Sequence, residues 1–335
     1  MRQLSLFDDR ALTPAPVPLD GAAGLLAGDG APAGQLDLFA QRTLRLSLAA
    51  EAVAAGELGE ARRLLAEVAA LRPADADVRR QADRVAALER QLGLAGSSAS
   101  PAAALLEVAR GLDPATGAFA SLRRVLLRRV AEALRGAEGD DGRLEGQPPG
   151  YYWLEAGDVA EAHGSLARAA EARRSARTLC LLADAATSLG DPAARRLYLE
   201  ALLRDPYDAA LAAARDEGVR GLPDVARYEL EIEEEPRAWS APVGIVTGVL
   251  PPPLGLALDE VVSGAPLPGG PPRSPGQEEA LARARRFVAA LAAASSREAR
   301  RSGEAVIEAR RAMKQLAPAL FAAYMARGSG ALQSR

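Results

Sequence analysis

Gly56-Glu57-Leu58-Gly59-Glu60-Ala61-Arg62-Arg63-Leu64-Leu65-Ala66-Glu67-Val68-Ala69-Ala70-Leu71-Arg72-Pro73 is the stretch that decides how this chain is read. Leu58, Ala61, Leu64, Leu65 and Val68 recur at the steps that place side chains on one face of an α-helix. Gly56 interrupts an earlier helical run that starts at Gln41 and carries Leu44, Leu48 and Val53 on one stripe. Arg72-Pro73 stops the second run, because proline has no N–H to give to a helix interior. Two amphipathic helices folded back on each other at Gly56 are therefore predicted.

The same punctuation returns further along. Gly157-Asp158-Val159-Ala160-Glu161-Ala162 follows Tyr151, Tyr152, Trp153 and Leu154, and Gly190-Asp191 opens a stretch that closes with Leu203-Arg204-Asp205-Pro206. Gly157 and Gly190 lie 33 residues apart. The small turn residue, the small Ala61 at the helix contact and the closing Pro73 resemble the tetratricopeptide repeat, whose period is about 34 residues. The likeness is degenerate. Arg174 stands where a proline is usual, the third unit ends one residue early, and most large aromatic anchors are missing.

The expected fold class is mostly α, built of degenerate tetratricopeptide-like helical hairpins. A helical repeat block over 41–135 and tetratricopeptide-like repeats over 151–222 flank a Gly-rich linker at 136–150. A change of period follows in 223–275. Tyr228, Leu230 and Ile232 alternate with Glu229, Glu231 and Glu233, which predicts a small β-hairpin near 226–250 with the apolar run 243–250 as its partner strand. The rest of that region is a Pro/Gly-rich connection holding a short helix near 258–262. Helical stripes resume in 276–327, with Ala280, Ala284, Phe287, Val288 and Leu291 on one face.

Composition supports helices packed through small side chains. Hydrophobic residues make up 49% of the 335-residue chain but aromatic residues only 4%, so the apolar mass is Ala, Leu and Val. Lys314 is the only lysine among 41 basic residues and there is no asparagine, a bias typical of a GC-rich genome. The formal charge of −3 implies no polyanionic partner for the molecule as a whole. A single cysteine, Cys180, excludes an internal disulfide framework and a multi-cysteine metal site. No secretory leader and no membrane-length apolar run are visible, so a cytoplasmic protein is expected.

Before the first helix the chain holds two copies of one word. Gln3-Leu4-Ser5-Leu6-Phe7 recurs as Gln35-Leu36-Asp37-Leu38-Phe39 and takes two of only five phenylalanines. Both copies resemble the short peptide by which bacterial replication and repair proteins dock on the DNA polymerase sliding clamp. That resemblance implies Gln3, Leu4, Leu6 and Phe7, with Gln35, Leu36, Leu38 and Phe39, as partner-binding residues and the clamp as the partner. An extended segment offers the Leu-Phe pair to an apolar pocket, each side chain contributing roughly 1.5–3 kcal/mol before ordering costs. One such peptide binds in the micromolar range at best. Two copies joined by the Gly/Pro/Ala-rich stretch 8–34 gain through effective concentration. That tether would span roughly 30 Å on average and about 90 Å when taut. Residues 1–40 are thus expected as a flexible arm. A second reading makes residues 35–39 the lead-in to the first helix, with Asp37 as its N-cap and Leu38 and Phe39 facing the core.

The remaining constellations are sparse. Residues 275–335 carry eleven basic residues against five glutamates, and Arg283, Arg286, Arg297, Arg300 and Arg301 are the candidates for nucleic-acid contact. A solvated face opposite an apolar stripe is the preferred reading of them, as it is of Arg123, Arg124, Arg128 and Arg129. His163 is the only histidine, so a multi-histidine metal site is excluded; a Ser-His-Asp triad would have to use it, and on a repeat helix it reads as satisfied helix surface and not as a general base. No Gly-Lys-Ser/Thr phosphate loop exists. Glu231, Glu233, Glu234 and Glu235 read as a charged edge rather than a cation site. No catalytic residue, metal or cofactor is therefore expected. The reading is a non-enzymatic interaction scaffold, tethered to the clamp by its arm and holding a second, unidentified protein on its helical body. The alternative is a generic repeat scaffold in a cytoplasmic complex unrelated to replication. Chaperone-tail recognition is disfavoured, because such repeats hold a carboxylate with Lys and Asn side chains.

Overall fold

The computed structural model describes residues 33–115, 117–135, 142–253, 272–295 and 303–333, with side chains described from Ala40 to Arg327. The chain divides into two compact units, 1–158 and 159–335. Among the described residues both units are helical, and β-structure is limited to one isolated bridge between Leu144 and Gln147.

The first unit comprises α1 (Ala33–Ala55), α2 (Leu58–Leu71), α3 (Ala76–Gly96), α4 (Pro101–Arg110), α5 (Gly117–Arg135) and α6 (Pro149–Ala156). Successive helices pack on one another, and α5 also returns to α1. The core is aliphatic, with Val53, Ala61, Leu65, Val68, Val85, Leu122, Leu126 and Val130 sealed from solvent around Phe119. Arg84 lies over the Phe119 ring, 4.0 Å from its centre. Asp75 caps α3 by accepting from the N–H groups of Asp77 and Val78, and it also accepts from Arg42 of α1 at 2.8 Å. Burial opposes its charge, yet the Val78 N–H and Arg42 outweigh that and hold the carboxyl below its ordinary value.

The sequence places an inter-block linker at 136–150. The chain's division falls later, at Asp158, and α6 belongs to the first unit, packed on α5. The end of that stretch is tied in place. Tyr152 donates its hydroxyl to the Leu144 carbonyl at 2.8 Å, and Arg128 of α5 grips Asp158 through two hydrogen bonds of 2.7 and 2.8 Å.

The second unit comprises α7 (Val159–Ala172), α8 (Ala176–Ser188) and α9 (Ala194–Arg204), then single helical turns between Leu211 and Trp239. It continues with α10 (Ser240–Thr247), α11 (Pro275–Ser295), α12 (Gly303–Leu316) and α13 (Pro318–Gln333). α8 packs on α7 and α9, and α11 on α12. α10 lies against α9, α11 and α13. Leu179, Tyr198, Leu199, Phe287, Val288, Met313 and Leu320 form the core, and Trp239 meets Phe287 edge-on at 6.2 Å.

Three turns share one construction. Gly56, Gly157 and Gly190 have φ of 82°, 87° and 71°, a left-handed backbone that a Cβ resists. At each, the glycine N–H reaches the carbonyl three residues back and the following acid's N–H the carbonyl five residues back, as in Glu57 to Ala52 at 2.8 Å. Asp158 to Trp153 and Asp191 to Ala186 repeat it at 3.0 and 2.9 Å. This pair of bonds is the Schellman C-cap, which satisfies the last carbonyls of the helix. A Cβ on Gly190 would meet nothing within 4 Å, so Gly190→Ala should cost only the conformational penalty, about 1 kcal/mol, in chemical denaturation.

The hairpin expected near 226–250 is not present. Val225–Glu229 forms a π-helical turn, Pro236–Trp239 a 3₁₀ turn, and Ser240–Thr247 is α10. The apolar run is buried on nearly every side, and periodicity alone cannot tell such a strand from a buried helix. Gly248 ends α10 with φ 82°, a backbone that favours glycine, and a Cβ there would displace the Arg327 guanidinium. The short helix expected near 258–262 lies outside the described residues.

A buried polar cluster links α8 to α9. Asp184, 5% exposed, accepts from the Tyr198 hydroxyl and from the Arg215 N–H at 2.8 Å. Burial pushes its carboxyl above the ordinary range, against those two donors. A raised value means the acid's contribution is full below the unfolded pKa and is lost as pH rises through the folded one. Asp184→Asn should therefore match or exceed the parent at neutral pH. Asp184→Ala strands two donors and should fall about 2 kcal/mol below Asp184→Asn in denaturation at the same pH.

Candidate functional site

The two clamp-like words occupy different settings. Gln3, Leu4, Leu6 and Phe7 lie outside the described residues. Gln35, Leu36, Leu38 and Phe39 fall in the first turns of α1, which begins at Ala33. Asp37 is therefore inside the helix and is not its N-cap. The backbone of this copy is helical and not the extended form in which the word offers Leu and Phe to a pocket. Residues 33–39 also extend α1 beyond the arm boundary expected at residue 40.

The basic candidates of the last helices divide too. Arg297, Arg300 and Arg301 lie outside the described residues. Arg286 is exposed on α11 and, among the described residues, reaches Ala282 of its own helix at 3.4 Å. Arg283 donates to the carbonyl of Leu316, the last residue of α12, at 3.1 Å and sits 5.9 Å from the Trp239 ring centre. Arg285 donates to the Leu203 and Arg204 carbonyls at the end of α9, and Arg327 to Val246 near the end of α10, at 2.7 Å. Each of the three meets orphan carbonyls at the negative end of a helix. Three of the eleven basic residues in 275–335 thus serve as C-caps for neighbouring helices. The sequence signal for Arg285 was its register, since it lies four residues after Leu281 on the buried stripe.

Two concave surfaces of the second unit are built from described residues. The larger, about 820 Å³, is walled by Ile245, Val249 and Leu250, by Leu291 of α11 and by Tyr324 of α13. Three arginines rim it; Arg195 pairs with Asp216 at 3.2 Å, and Arg327 is spent on Val246. The second, about 730 Å³, lies between the acidic turn 230–235, α11 and the junction of α12 with α13. Sequence reasoning treated those glutamates as a charged strand edge and missed the groove, because its other wall arrives from more than 80 residues along the chain.

His163 is half-buried on α7. Cys180 is a buried free thiol whose ionisation is pushed up by burial and by Asp184. Among the described residues no group of three or more His, Cys, Asp or Glu is placed to hold a metal ion, and no helix is long and apolar enough to cross a membrane. No protein-family model, curated protein or solved structure matches the chain.

Proposed function

We propose that the protein is a non-enzymatic, cytoplasmic interaction scaffold that docks on the bacterial DNA polymerase sliding clamp through its N-terminal words and holds a second protein on its helical body. The recurrence of Gln-Leu-x-Leu-Phe at 3–7 and 35–39 carries this reading. The body's share is supported by the three Gly-acid turns of one construction, which suit degenerate tetratricopeptide-like hairpins. Nucleic-acid contact is not favoured, since of its five candidate residues Arg283 is occupied as a helix cap.

The helical backbone of 35–39 favours a second reading, a generic repeat scaffold in which this copy is simply the start of α1. Under clamp docking that copy must unwind about two helical turns, and helix ends open at the lowest free-energy cost in a fold. The two readings part in a pull-down with purified clamp as bait. Clamp docking predicts that the parent chain is retained and that Phe7→Ala/Phe39→Ala is not. Equal retention of both removes the link to replication and leaves the generic scaffold.

A further inference from the structure

We infer that the 730 Å³ groove of the second unit docks a basic peptide segment bearing large apolar side chains, supplied by a partner protein. Its accessible apolar surface comes from Leu230, Ile232 and Leu316, backed by the buried Trp239 and Leu320. Five glutamates, 231, 233, 234, 235 and 279, line the same groove against one arginine, Arg283. Two of the five have nearby partners: Glu235 accepts from the Tyr207 hydroxyl at 3.0 Å, and Glu234 stands 3.9 Å from Arg283. Glu231, Glu233 and Glu279 have no hydrogen-bond or ion-pair partner among the described residues. Arg283, the only positive charge in the lining, is already committed to the Leu316 carbonyl and the Trp239 ring.

The pairing of these features selects the occupant. A solvated acidic face needs no apolar floor, and an apolar floor closed by its own chain needs no bare carboxylates. Together they complement a segment that presents Leu or Phe on one side and Arg or Lys beside them, the pattern of an amphipathic peptide laid in a groove. The volume is that of an ordinary ligand pocket. The same charge repels nucleic acid.

This inference rests on the scaffold reading for the partner being a protein, and it names that partner's chemistry at a site separate from the clamp-like words. The test titrates the full chain with a labelled synthetic peptide carrying Leu, Phe and Arg at helical spacing. Saturable binding in the range of roughly 10–100 µM is expected, weakening as salt is raised. Glu231→Gln/Glu233→Gln/Glu279→Gln should weaken it about tenfold. Glu304→Gln/Glu308→Gln, on the exposed face of α12, should leave it unchanged. Replacing Arg by Glu in the peptide, or Leu and Phe by Ser, should abolish binding. Absence of saturable binding, an unaffected triple variant, an equal loss in the α12 control, or full binding by either altered peptide would each overturn the inference. Clamp capture by the triple variant should equal the parent's, so failure at the groove and failure of the clamp link are read separately.

Discussion

Glu200→Ala should destabilise the second unit by about 3 kcal/mol, the largest stability loss expected from any single charged side chain here. Glu200 on α9 is 7% exposed and accepts from Arg174 at 2.9 and 2.7 Å and from Arg204 at 3.1 Å. Arg174 precedes α8, so this carboxylate pins the α7–α8 connection to the neighbouring helix. Burial alone would raise its pKa, but the two guanidinium groups outweigh that and hold it below the ordinary carboxylate range. Arg174 keeps about half of its side chain in water, which places the loss at the low end for a broken buried pair. A depressed folded value means the contribution is present above the unfolded pKa of about 4.3 and is lost as pH falls through the folded one. Parent stability should therefore drop on acidification through that window, and Glu200→Gln should show a flatter profile. Denaturant unfolding, with hydrogen exchange of the α8 and α9 amides, measures both. Wild-type protection in Glu200→Ala would show that the pair carries nothing.

Arg174 stands where the tetratricopeptide resemblance leads one to expect a proline, and it fixes the α7–α8 connection through Glu200. Helices were legible wherever glycine or proline punctuated a stripe, as at Gly56, Pro73, Gly157 and Gly190, because those residues act through local backbone geometry. The α10 region was not legible. Its apolar residues face protein nearly all round, so no solvated face remained to reveal a period. Composition marks 136–150 as a linker, and the bond from the Tyr152 hydroxyl to the Leu144 carbonyl within it depends on a neighbour that composition does not show. Arg283 reaches a carbonyl 33 residues away, so reading it as part of a solvated or nucleic-acid-facing set was natural from sequence and incomplete. The acidic groove likewise needed the α12–α13 junction brought against residues 230–235.

Loss of clamp affinity by at least about a hundredfold is the other large effect, expected when both phenylalanine anchors are removed. Each Phe→Ala change deletes the ring that fills an apolar pocket and leaves the leading glutamine, whose amide alone cannot repay the ordering of the segment. The single variants separate the words. Phe7→Ala should cost more than Phe39→Ala, because the second copy begins in a helix and must unwind before it can bind as an extended segment.

The most direct measurement is the dissociation constant of the purified clamp for the parent chain, Phe7→Ala, Phe39→Ala and the double variant under one set of conditions. The account predicts tightest binding by the parent, a weaker Phe39→Ala, a still weaker Phe7→Ala and no measurable binding by the double variant. Equal affinity across all four, or none for the parent at any concentration reached, would contradict it.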